Sequence, residues 1–283
     1  MKNVRIQKAD KLGLCFGVRR AIKLLKKAAG KYGEIETLGP VAHNRLLVET
    51  LTNLGIKPIT HLGQAEGRIL AITTHGVSPS ILAEIKARYI RIIDTTCPIV
   101  RKAQNAAKEL AETGFNVVIF GDANHSEVRG LLGWAGDKGT AALNAKQAYE
   151  SGKLPSRLGI ISQTTQTQLD FINFSMQLMD KLGPDIDEMR LVNTLCKVTR
   201  GQQESALRLA RRSQVMIVIG GANSANAGHL VEICDALVET HLVETADEVD
   251  TSWFAGKDRI GITAGASTPD EVVEELMDRL RFL

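Results

Sequence analysis

The sequence lacks the long apolar runs that mark membrane and secreted proteins. Its longest apolar stretches, QVMIVIGG and FNVVIFG, are strand-sized and fall well short of the roughly 20 residues that a transmembrane helix needs. The N-terminal stretch MKNVRIQKAD has no apolar core of the kind found in secretory signals. We therefore expect no membrane span and a cytoplasmic protein.

Cysteines in Cys-x-x-Cys pairs are absent as well. The four cysteines lie far apart along the chain, whereas disulfide frameworks and structural zinc sites usually show closely spaced ligands, so we expect reduced thiols. No Walker motif is present to indicate nucleotide binding. The net charge of +3 is too small to indicate nucleic acid, and no strongly basic segment supplies that signal instead.

The sequence does contain a threefold internal pattern. Cys15, Cys97 and Cys196 each begin a segment with helical periodicity. An arginine follows each cysteine four residues later, at Arg19, Arg101 and Arg200. A polar residue in a glycine-containing loop follows each cysteine at a constant distance of 28 residues, at His43, His125 and Ser224. Chance would rarely place three cysteines so regularly, so we interpret the pattern as a true repeat.

Each third of the chain also contains a second strand that ends in polar residues. These strands are RILAITTHG, which ends at His75, RLGIISQTT, which contains Thr164, and RIGITAGAST, which contains Ser267. Alternating strands and helices predict an α/β protein with mostly parallel sheets, and ligands bind such sheets where the strands end. We predict three small α/β units at 16–96, 97–193 and 194–283, with the N-terminal strand in 1–15 joining the third.

The three similar cysteines are best explained as metal ligands. A helix N-terminus and a following arginine both favour the thiolate, and Pro98 supports a helix start directly after Cys97. A packing role is the alternative for any single cysteine, but it does not explain the repeat. Three equivalent thiolates match three corners of a cubane iron–sulfur cluster and leave one iron open for a substrate. Cys234 falls mid-helix outside the repeat, and we assign it to packing.

The polar strand exits suit a diphosphate ligand. Imidazole, hydroxyl and amide groups supply the hydrogen-bond donors that diphosphate oxygens need, although each residue alone can also serve as a turn or helix cap. The candidates are His43, His75, His125, Thr164, Ser224, Asn226 and Ser267.

The charged residues near these exits have several possible roles. Glu127 follows His125 by two residues, and a carboxylate beside Thr164 would relay protons into a desolvated pocket. The alternative for Glu127 is an ordinary first-turn residue that interacts with the helix dipole. The three repeated arginines either offset cluster charge, form a landing surface for an acidic electron donor, or cover solvated helix faces.

These motifs resemble those of the 4-hydroxy-3-methylbut-2-enyl diphosphate reductase family over nearly the whole chain. The similar stretches are GLCFGVRRA, HNRLLVETL, THGVSPS, DTTCPIVRKAQ, HSEVRG, SQTT, GANSAN and TAGASTPD. The resemblance implies an iron–sulfur oxidoreductase in which three α/β units form a trefoil around a central cavity. It also implies one 4Fe–4S cluster with three cysteine ligands, Cys15, Cys97 and Cys196, and one open iron.

A reaction and a role for each site residue follow from the same resemblance. The substrate's allylic hydroxyl would bind the open iron, and two electrons and two protons would release water to give isopentenyl and dimethylallyl diphosphates, the last step of the non-mevalonate isoprenoid pathway. Reduced ferredoxin or flavodoxin would supply the electrons. Glu127 would donate protons, Thr164 would orient the hydroxyl, and His125 would contribute to both catalysis and binding. The diphosphate-binding set would be His43, His75, His125, Thr164, Ser224, Ala225, Asn226 and Ser267.

Two positions depart from the family pattern. Ala225 stands where a second serine is common, which would weaken phosphate binding by about 1 kcal/mol for one lost hydrogen bond. Ser126 replaces the proline that is usual between the histidine and the glutamate. Two other functions stay open: an iron–sulfur sensor, which would leave the polar strand exits unexplained, and a redox-neutral dehydratase, in which the open iron acts only as a Lewis acid.

Overall fold

The structure, a computed structural model, describes residues 4–88, 91–151 and 156–281, and strands and helices alternate through them. No helix in these residues is both long and apolar enough to span a membrane. The strands are β1 (Arg5–Lys8), β2 (Ile35–Leu38), β3 (Ile56–Ile59), β4 (Ile69–Ile72), β5 (Arg91–Asp94), β6 (Asn116–Phe120), β7 (Gly139–Ala142), β8 (Arg157–Ser162), β9 (Glu188–Leu191), β10 (Val215–Ile219), β11 (Thr240–Val243) and β12 (Arg259–Ala264). The helices are α1 (Phe16–Tyr32), α2 (Arg45–Asn53), α3 (Pro79–Ala87), α4 (Pro98–Glu112), α5 (Ser126–Ala135), α6 (Ala145–Glu150), α7 (Gln168–Leu182), α8 (Lys197–Ala210), α9 (Ala225–Asp235) and α10 (Asp270–Arg281).

The strands form three four-stranded sheets. Their strand orders are β1-β12-β10-β11, β3-β2-β4-β5 and β7-β6-β8-β9, and all the strand pairings among the described residues are parallel. The N-terminal strand pairs with the last strand of the chain, with Arg5 opposite Arg259. The predicted α/β class with parallel sheets is confirmed, and the carboxyl ends of the strands in each sheet lie at one edge.

The chain divides into two compact units. The first unit comprises Met1–Arg19, Ala42–Asn53 and Lys197–Leu283, and the second comprises Arg20–Val41 and Leu54–Cys196. The sheet that contains β1 and β12 belongs to the first unit, and the other two sheets belong to the second. The division into three domains expected from the repeat stays a prediction.

Strand β10 shows how the sheet of the first unit is buried on both faces. Val215, Ile217 and Ile219 belong to the apolar cluster that includes α10. Met216 and Val218 belong to a second cluster, formed with α8 and α9. Successive side chains of a strand point to opposite faces, so a continuous apolar run is what a parallel sheet covered on both faces requires.

Strand β6 plays the same part in the second unit. Val118 and Phe120 pack against α6 and α7, and the ring of Phe120 stacks on Phe174 with centroids 4.7 Å apart. Val117 and Ile119 pack on the opposite face with residues of α4 and α5. Helices on both faces therefore fix the strand, and its carboxyl end opens toward the loop that precedes α5.

All three repeat cysteines directly precede a helix, as predicted. Helices α1, α4 and α8 begin one residue after Cys15, Cys97 and Cys196. The fourth cysteine, Cys234, is buried in the core as expected. However, the expected mid-helix position is wrong, because α9 already ends at Asp235. Cys234 lies in the last turn, where its carbonyl accepts the N–H of Leu237 as the chain leaves the helix.

Candidate active site

The three repeat cysteines share one backbone anchor. Each cysteine N–H donates a hydrogen bond to a carbonyl two residues beyond the end of a strand: Cys15 to Ala266 at 2.9 Å, Cys97 to Thr74 at 3.0 Å and Cys196 to Thr164 at 2.8 Å. Each cysteine backbone therefore lies at a strand exit and directly before a helix. This is the geometric basis of the repeat that the sequence shows.

The Cys97 thiol experiences opposing electrostatic influences. Burial raises the pKa of Cys97, and the N–H groups of Ile99 and Val100 at the start of α4 oppose this rise. Negative charge on Cys196 and Glu127 raises the pKa of Cys97 further. The N–H groups at the helix start lower the pKa of Cys97 as predicted, but burial raises it more. The expected preference for thiolate over thiol is therefore wrong for Cys97 when no metal is bound. Crowded thiols of this kind ionise readily beside a cation, as metal ligands do.

In the first unit, the loops after β10 and β12 meet the turn before α2. Ser267 Oγ donates to the carbonyl oxygen of His43 at 3.4 Å, and a Cβ atom on Gly221 would lie 2.5 Å from the same oxygen. Ser224 is the N-cap of α9, and its Oγ accepts the N–H of Ala227 at 3.4 Å. Burial lowers the pKa of His43, so its imidazole is neutral at pH 7. The first unit therefore brings predicted diphosphate-binding residues together.

Asn226, in the first turn of α9, has an unusual environment. Its side chain is only 4% exposed, and neither amide atom has a hydrogen-bond partner among the described residues. An unsatisfied buried amide costs about 1–3 kcal/mol, and the helix start beside it favours anions. A polar ligand at this position would remove that cost. Ala225, directly before it, offers a ligand only its backbone N–H, and Ser126 Oγ in α5 is likewise buried without a partner in the described chain.

In the second unit, two predicted histidines face each other. The rings of His75 and His125 lie with centroids 5.6 Å apart and planes at 83°. His125 is the N-cap of α5, and its Nδ1 accepts the N–H of Glu127 at 3.2 Å. An accepting Nδ1 carries no proton, so the neutral ring of His125 carries its proton on Nε2. That tautomer makes Nε2 a hydrogen-bond donor, as a phosphate oxygen requires.

Glu127 and Thr164 form a buried acid–hydroxyl pair. The Thr164 N–H donates to Glu127 Oε1 at 2.7 Å, and Thr164 Oγ1 donates to Oε2 at 2.9 Å. Glu127 is 2% exposed, and burial raises its pKa to about 7, against the two opposing bonds from Thr164. The carboxyl group therefore changes protonation state near neutral pH, which is the range in which a proton donor works best.

Sequence reasoning missed polar residues that surround this pair. Each carbonyl group that accepts a cysteine N–H is followed directly by a polar residue: His75, Thr165 or Ser267. Thr165 is therefore the counterpart of His75 and Ser267 in the repeat. Gln163 Nε2 donates to Thr165 Oγ1 at 3.2 Å, and its Oε1 accepts the N–H of Asp122 at 3.3 Å. The spacing of the repeat could have predicted Thr165, whereas no spacing pattern marks Gln163.

The three repeated arginines each have a carboxylate partner. Arg19 pairs with Asp270 at 2.8 Å, Arg101 with Asp94 at 2.5 Å and Arg200 with Glu204 at 3.5 Å. The bond to Asp270 also raises the pKa of Arg19. These ion pairs support a role for the arginines at the helix surface. They are evidence against an unpaired cationic surface of these arginines that would bind an acidic electron donor.

Replacing Gly221 by alanine is expected to lower the free energy of unfolding by about 1–3 kcal/mol, because the new Cβ would press on the carbonyl of His43. A matched control is Gly228→Ala in α9, where nothing lies within 4 Å of the added atom. That change is expected to stabilise by up to about 1 kcal/mol, since alanine favours helix. Denaturant unfolding of both variants measures the difference, and equal effects would contradict the close contact with His43.

The fold and these residues define a class of protein: a parallel α/β enzyme with thiols, imidazoles, hydroxyls and a buried carboxylate at its strand exits. The chain belongs to the LytB protein family, whose model matches residues 6–281. A relative named 4-hydroxy-3-methylbut-2-enyl diphosphate reductase from Dehalococcoides mccartyi strain CBDB1 is 44% identical, with 98% of this chain and 99% of the relative covered. A relative of the same name from Geobacter sulfurreducens is 39% identical, with 96% and 95% covered.

Solved structures of such reductases are similar to this fold. One, described as (E)-4-hydroxy-3-methyl-but-2-enyl diphosphate reductase, the terminal enzyme of the non-mevalonate pathway, has a TM-score of 0.72 at 36% identity, with 99% of this chain and 100% of that chain covered. The reductase from Plasmodium falciparum has a TM-score of 0.91 at 25% identity, with 98% and 88% covered. Family and fold therefore agree over the full chain.

Proposed function

We infer that this protein is an oxidoreductase that converts 4-hydroxy-3-methylbut-2-enyl diphosphate to isopentenyl and dimethylallyl diphosphates, the last step of the non-mevalonate pathway. The observation that carries this inference is the match to reductases of that name over 98% of the chain. The reaction takes up two electrons and two protons, breaks the carbon–oxygen bond of the hydroxyl group, forms a carbon–hydrogen bond and releases water.

An iron–sulfur cluster fits the donor set of this chain. We propose that Cys15, Cys97 and Cys196 hold one 4Fe–4S cluster and that one iron has no protein ligand. Clusters that only transfer electrons ordinarily have four cysteine ligands, and the remaining cysteine, Cys234, is buried in the apolar core instead. When bound, the cluster supplies electrons and a Lewis-acidic iron that polarises the substrate hydroxyl.

The diphosphate is held by several hydrogen-bond donors. His43, Ser224, Asn226 and Ser267 supply imidazole, hydroxyl and amide groups, and the backbone N–H of Ala225 adds to them. His75 and His125 add further donors, and Nε2–H of His125 donates to an oxygen of the diphosphate. Several donors to one dianionic group give charge-assisted hydrogen bonds, which are shorter and stronger than neutral ones.

Replacing Asn226 by alanine is expected to raise KM for the diphosphate about 10- to 100-fold, the value of one hydrogen bond to a charged group. The free energy of unfolding should not fall, because the amide has no partner among the described residues. Asn144→Ala is the control, since Asn144 Oδ1 accepts the N–H of Gln147 at 2.9 Å. That variant should lose about 1 kcal/mol of stability and keep its KM. The reverse pattern would contradict a ligand role for Asn226.

Glu127 and Thr164 deliver protons. Glu127 Oε1 must accept the Thr164 N–H, so the acidic proton sits on Oε2, next to Thr164 Oγ1. In that state the hydroxyl of Thr164 accepts from Glu127 and turns its own proton toward the substrate. A proton can then pass from Glu127 through Thr164 while both hydrogen bonds are retained. His125 orients Glu127 by accepting its backbone N–H.

Reduced ferredoxin or flavodoxin is the proposed electron donor, because the reaction consumes electrons and these carriers deliver them singly. The sensor and dehydratase alternatives are less well supported, since the relatives are named as reductases. Anaerobically purified protein should convert the hydroxymethylbutenyl diphosphate to both products only when a reductant is supplied. Loss of water from the substrate without reductant, to a product with two hydrogens fewer than isopentenyl diphosphate, would favour the dehydratase. Cluster-loaded protein that leaves the substrate unchanged with and without reductant would favour the sensor.

A further inference from the structure

One helix of this protein carries charge of a single sign. α1 contains no acidic residue, whereas each of the other α-helices in the described part of the chain contains at least one Asp or Glu. The basic residues of α1 are Arg19, Arg20, Lys23, Lys26, Lys27 and Lys31. The net charge of the whole chain is only +3, so positive charge is concentrated on this helix.

The lysines of α1 form a stripe along its exposed side. This lysine stripe comprises four exposed residues, Lys23, Lys26, Lys27 and Lys31. Lys26 and Lys27 follow Lys23 by three and four residues, and Lys31 follows Lys27 by four, so all four lie on one side of the helix. The other side holds Ala21 and Leu25, which are fully buried. The stripe therefore faces solvent.

Three lysines of the stripe have no carboxylate beside them. Lys23, Lys26 and Lys27 form no ion pair with any described residue, whereas Lys8 and Lys57 each pair with a glutamate. Like charges four residues apart on a helix repel each other. An acidic partner would remove this repulsion.

Arg20 places the start of the stripe beside a proposed cluster ligand. Its guanidinium Nη1 donates to the carbonyl oxygens of Thr95 and Thr96 at 3.4 and 3.3 Å, and Thr96 directly precedes Cys97. Lys23 lies about one turn further along α1. The stripe therefore begins close to the backbone of Cys97.

We propose that the lysine stripe docks the acidic protein that supplies electrons, an inference that rests on the reductase function proposed above. Electron transfer slows steeply with distance, so the carrier has to bind close to the cluster. Each encounter oxidises the carrier by one electron and reduces the cluster by one, so each turnover needs two encounters. Such complexes have small interfaces, and complementary charge speeds their formation.

Tyr32 and Arg91 extend this surface at the far end of α1. The guanidinium carbon of Arg91 lies 4.8 Å from the centre of the Tyr32 ring, and Lys31 Nζ lies 4.9 Å from it. Tyr32 is 38% exposed, and tyrosine is enriched in protein interfaces. The acid that follows the helix, Glu34, pairs with Lys57, so its charge is already balanced.

Other anionic partners fit the stripe less well. A helix that lies on a membrane inserts its apolar side into the bilayer. That side of α1 is buried in the protein instead, because Ala21, Leu25 and Ala28 are at most 8% exposed. The charge alone would also suit a nucleic acid, but the position beside Cys97 favours a partner that exchanges electrons.

Turnover of the full-length, cluster-loaded protein with two reductants tests the proposal. Lys23→Glu combined with Lys27→Glu should lower kcat/KM for reduced flavodoxin, an acidic carrier, at least about tenfold at low salt, since charge steers association by that factor or more. Turnover with reduced methyl viologen should not fall, because this small reductant does not need the stripe. An equal fall with both reductants would overturn the proposal, since the lysines would then act on the reaction itself.

Lys86→Glu combined with Arg211→Glu is the matched control. Both residues are exposed and form no ion pair within the described chain, and the net charge changes by the same amount. The control should keep both turnover rates, and both double variants should unfold at the wild-type temperature. An equal loss with flavodoxin in the control would overturn the proposal, because net charge and not the stripe would then explain the effect.

A binding measurement separates the docking surface from the reaction. In isothermal titration with oxidised flavodoxin, the dissociation constant of wild-type protein should rise with salt. The Lys23 and Lys27 changes together should raise it at least about tenfold at low salt. Wild-type protein that does not bind flavodoxin, or binds it no better than this variant, would overturn the proposal, as would tighter binding of a DNA duplex. Stripe-dependent binding without viologen-driven turnover would support the surface and contradict the proposed function.

Discussion

Replacement of Cys97 by serine is expected to lower turnover at least about 100-fold and to reduce the bound iron. Changes to residues that merely support a metal ligand cost 10- to 100-fold, so loss of a ligand should cost more. Cys97 lies at the start of α4 and is anchored by its N–H to Thr74, an anchor that serine can keep. A loss of iron and turnover would therefore result from removal of the sulfur atom and not from a change in the backbone. Iron and sulfide quantitation with a reductant-dependent assay provides the measurement.

Cys234→Ala is the matched control for Cys97→Ser. Cys234 is fully buried, and burial raises its pKa to about 12, so it does not ionise at neutral pH. The variant should keep its iron and its turnover while losing about 1–2 kcal/mol of stability from lost packing. If Cys97→Ser kept its iron while Cys234→Ala lost it, the ligand assignment would be wrong.

Glu127→Gln is expected to reduce turnover about 100- to 10,000-fold, the range for loss of a positioned proton donor. A glutamine amide can keep both bonds to Thr164, since its oxygen accepts the N–H and its nitrogen donates to Oγ1. Substrate affinity and iron content should therefore stay near wild type. Thr164→Val should cause a comparable loss, and the double variant should lose little more, because the two residues act as one relay. Additive losses would argue for separate roles.

The raised pKa of Glu127 makes both turnover and stability depend on pH, and Glu127→Gln should remove both dependences. Wild-type turnover should fall as pH rises through about 7, because the acid form is then lost, and Glu127→Gln should lack this step. Folded protein binds this proton more tightly than unfolded protein, so wild-type stability should fall between about pH 4.5 and 7. The variant should avoid this loss of roughly 3 kcal/mol. A pH-independent stability difference would contradict the buried carboxyl group.

The sequence repeat predicted the positions of the elements well. The constant offset from the cysteines to His125 and Ser224 places both residues at the start of a helix, and both serve as its N-cap. Such positions are predictable because capping and helix-start chemistry are local. The third unit was predicted as the partner of the N-terminal strand, but the particular strand, β12, was not, since pairing of β1 with β12 joins the two ends of the chain.

Features that depend on packing could not be predicted. The loss of thiolate preference at Cys97 follows from burial, which no local motif encodes. Gln104, fully buried in α4, donates to the carbonyl of Val77 at 3.4 Å and accepts from Arg101 at 3.0 Å. In sequence it is one more polar residue on a helix. Its contact with Val77 exists only because the loop after His75 reaches that helix.

Three cysteines are proposed to hold one cluster and to leave one iron to the substrate. Mössbauer spectroscopy of anaerobically prepared protein, with and without the hydroxymethylbutenyl diphosphate, can test this arrangement. We expect about four irons per chain in a cubane cluster, of which a single iron responds to the diphosphate. Zinc in place of iron, or a cluster whose irons all ignore the diphosphate, would contradict it.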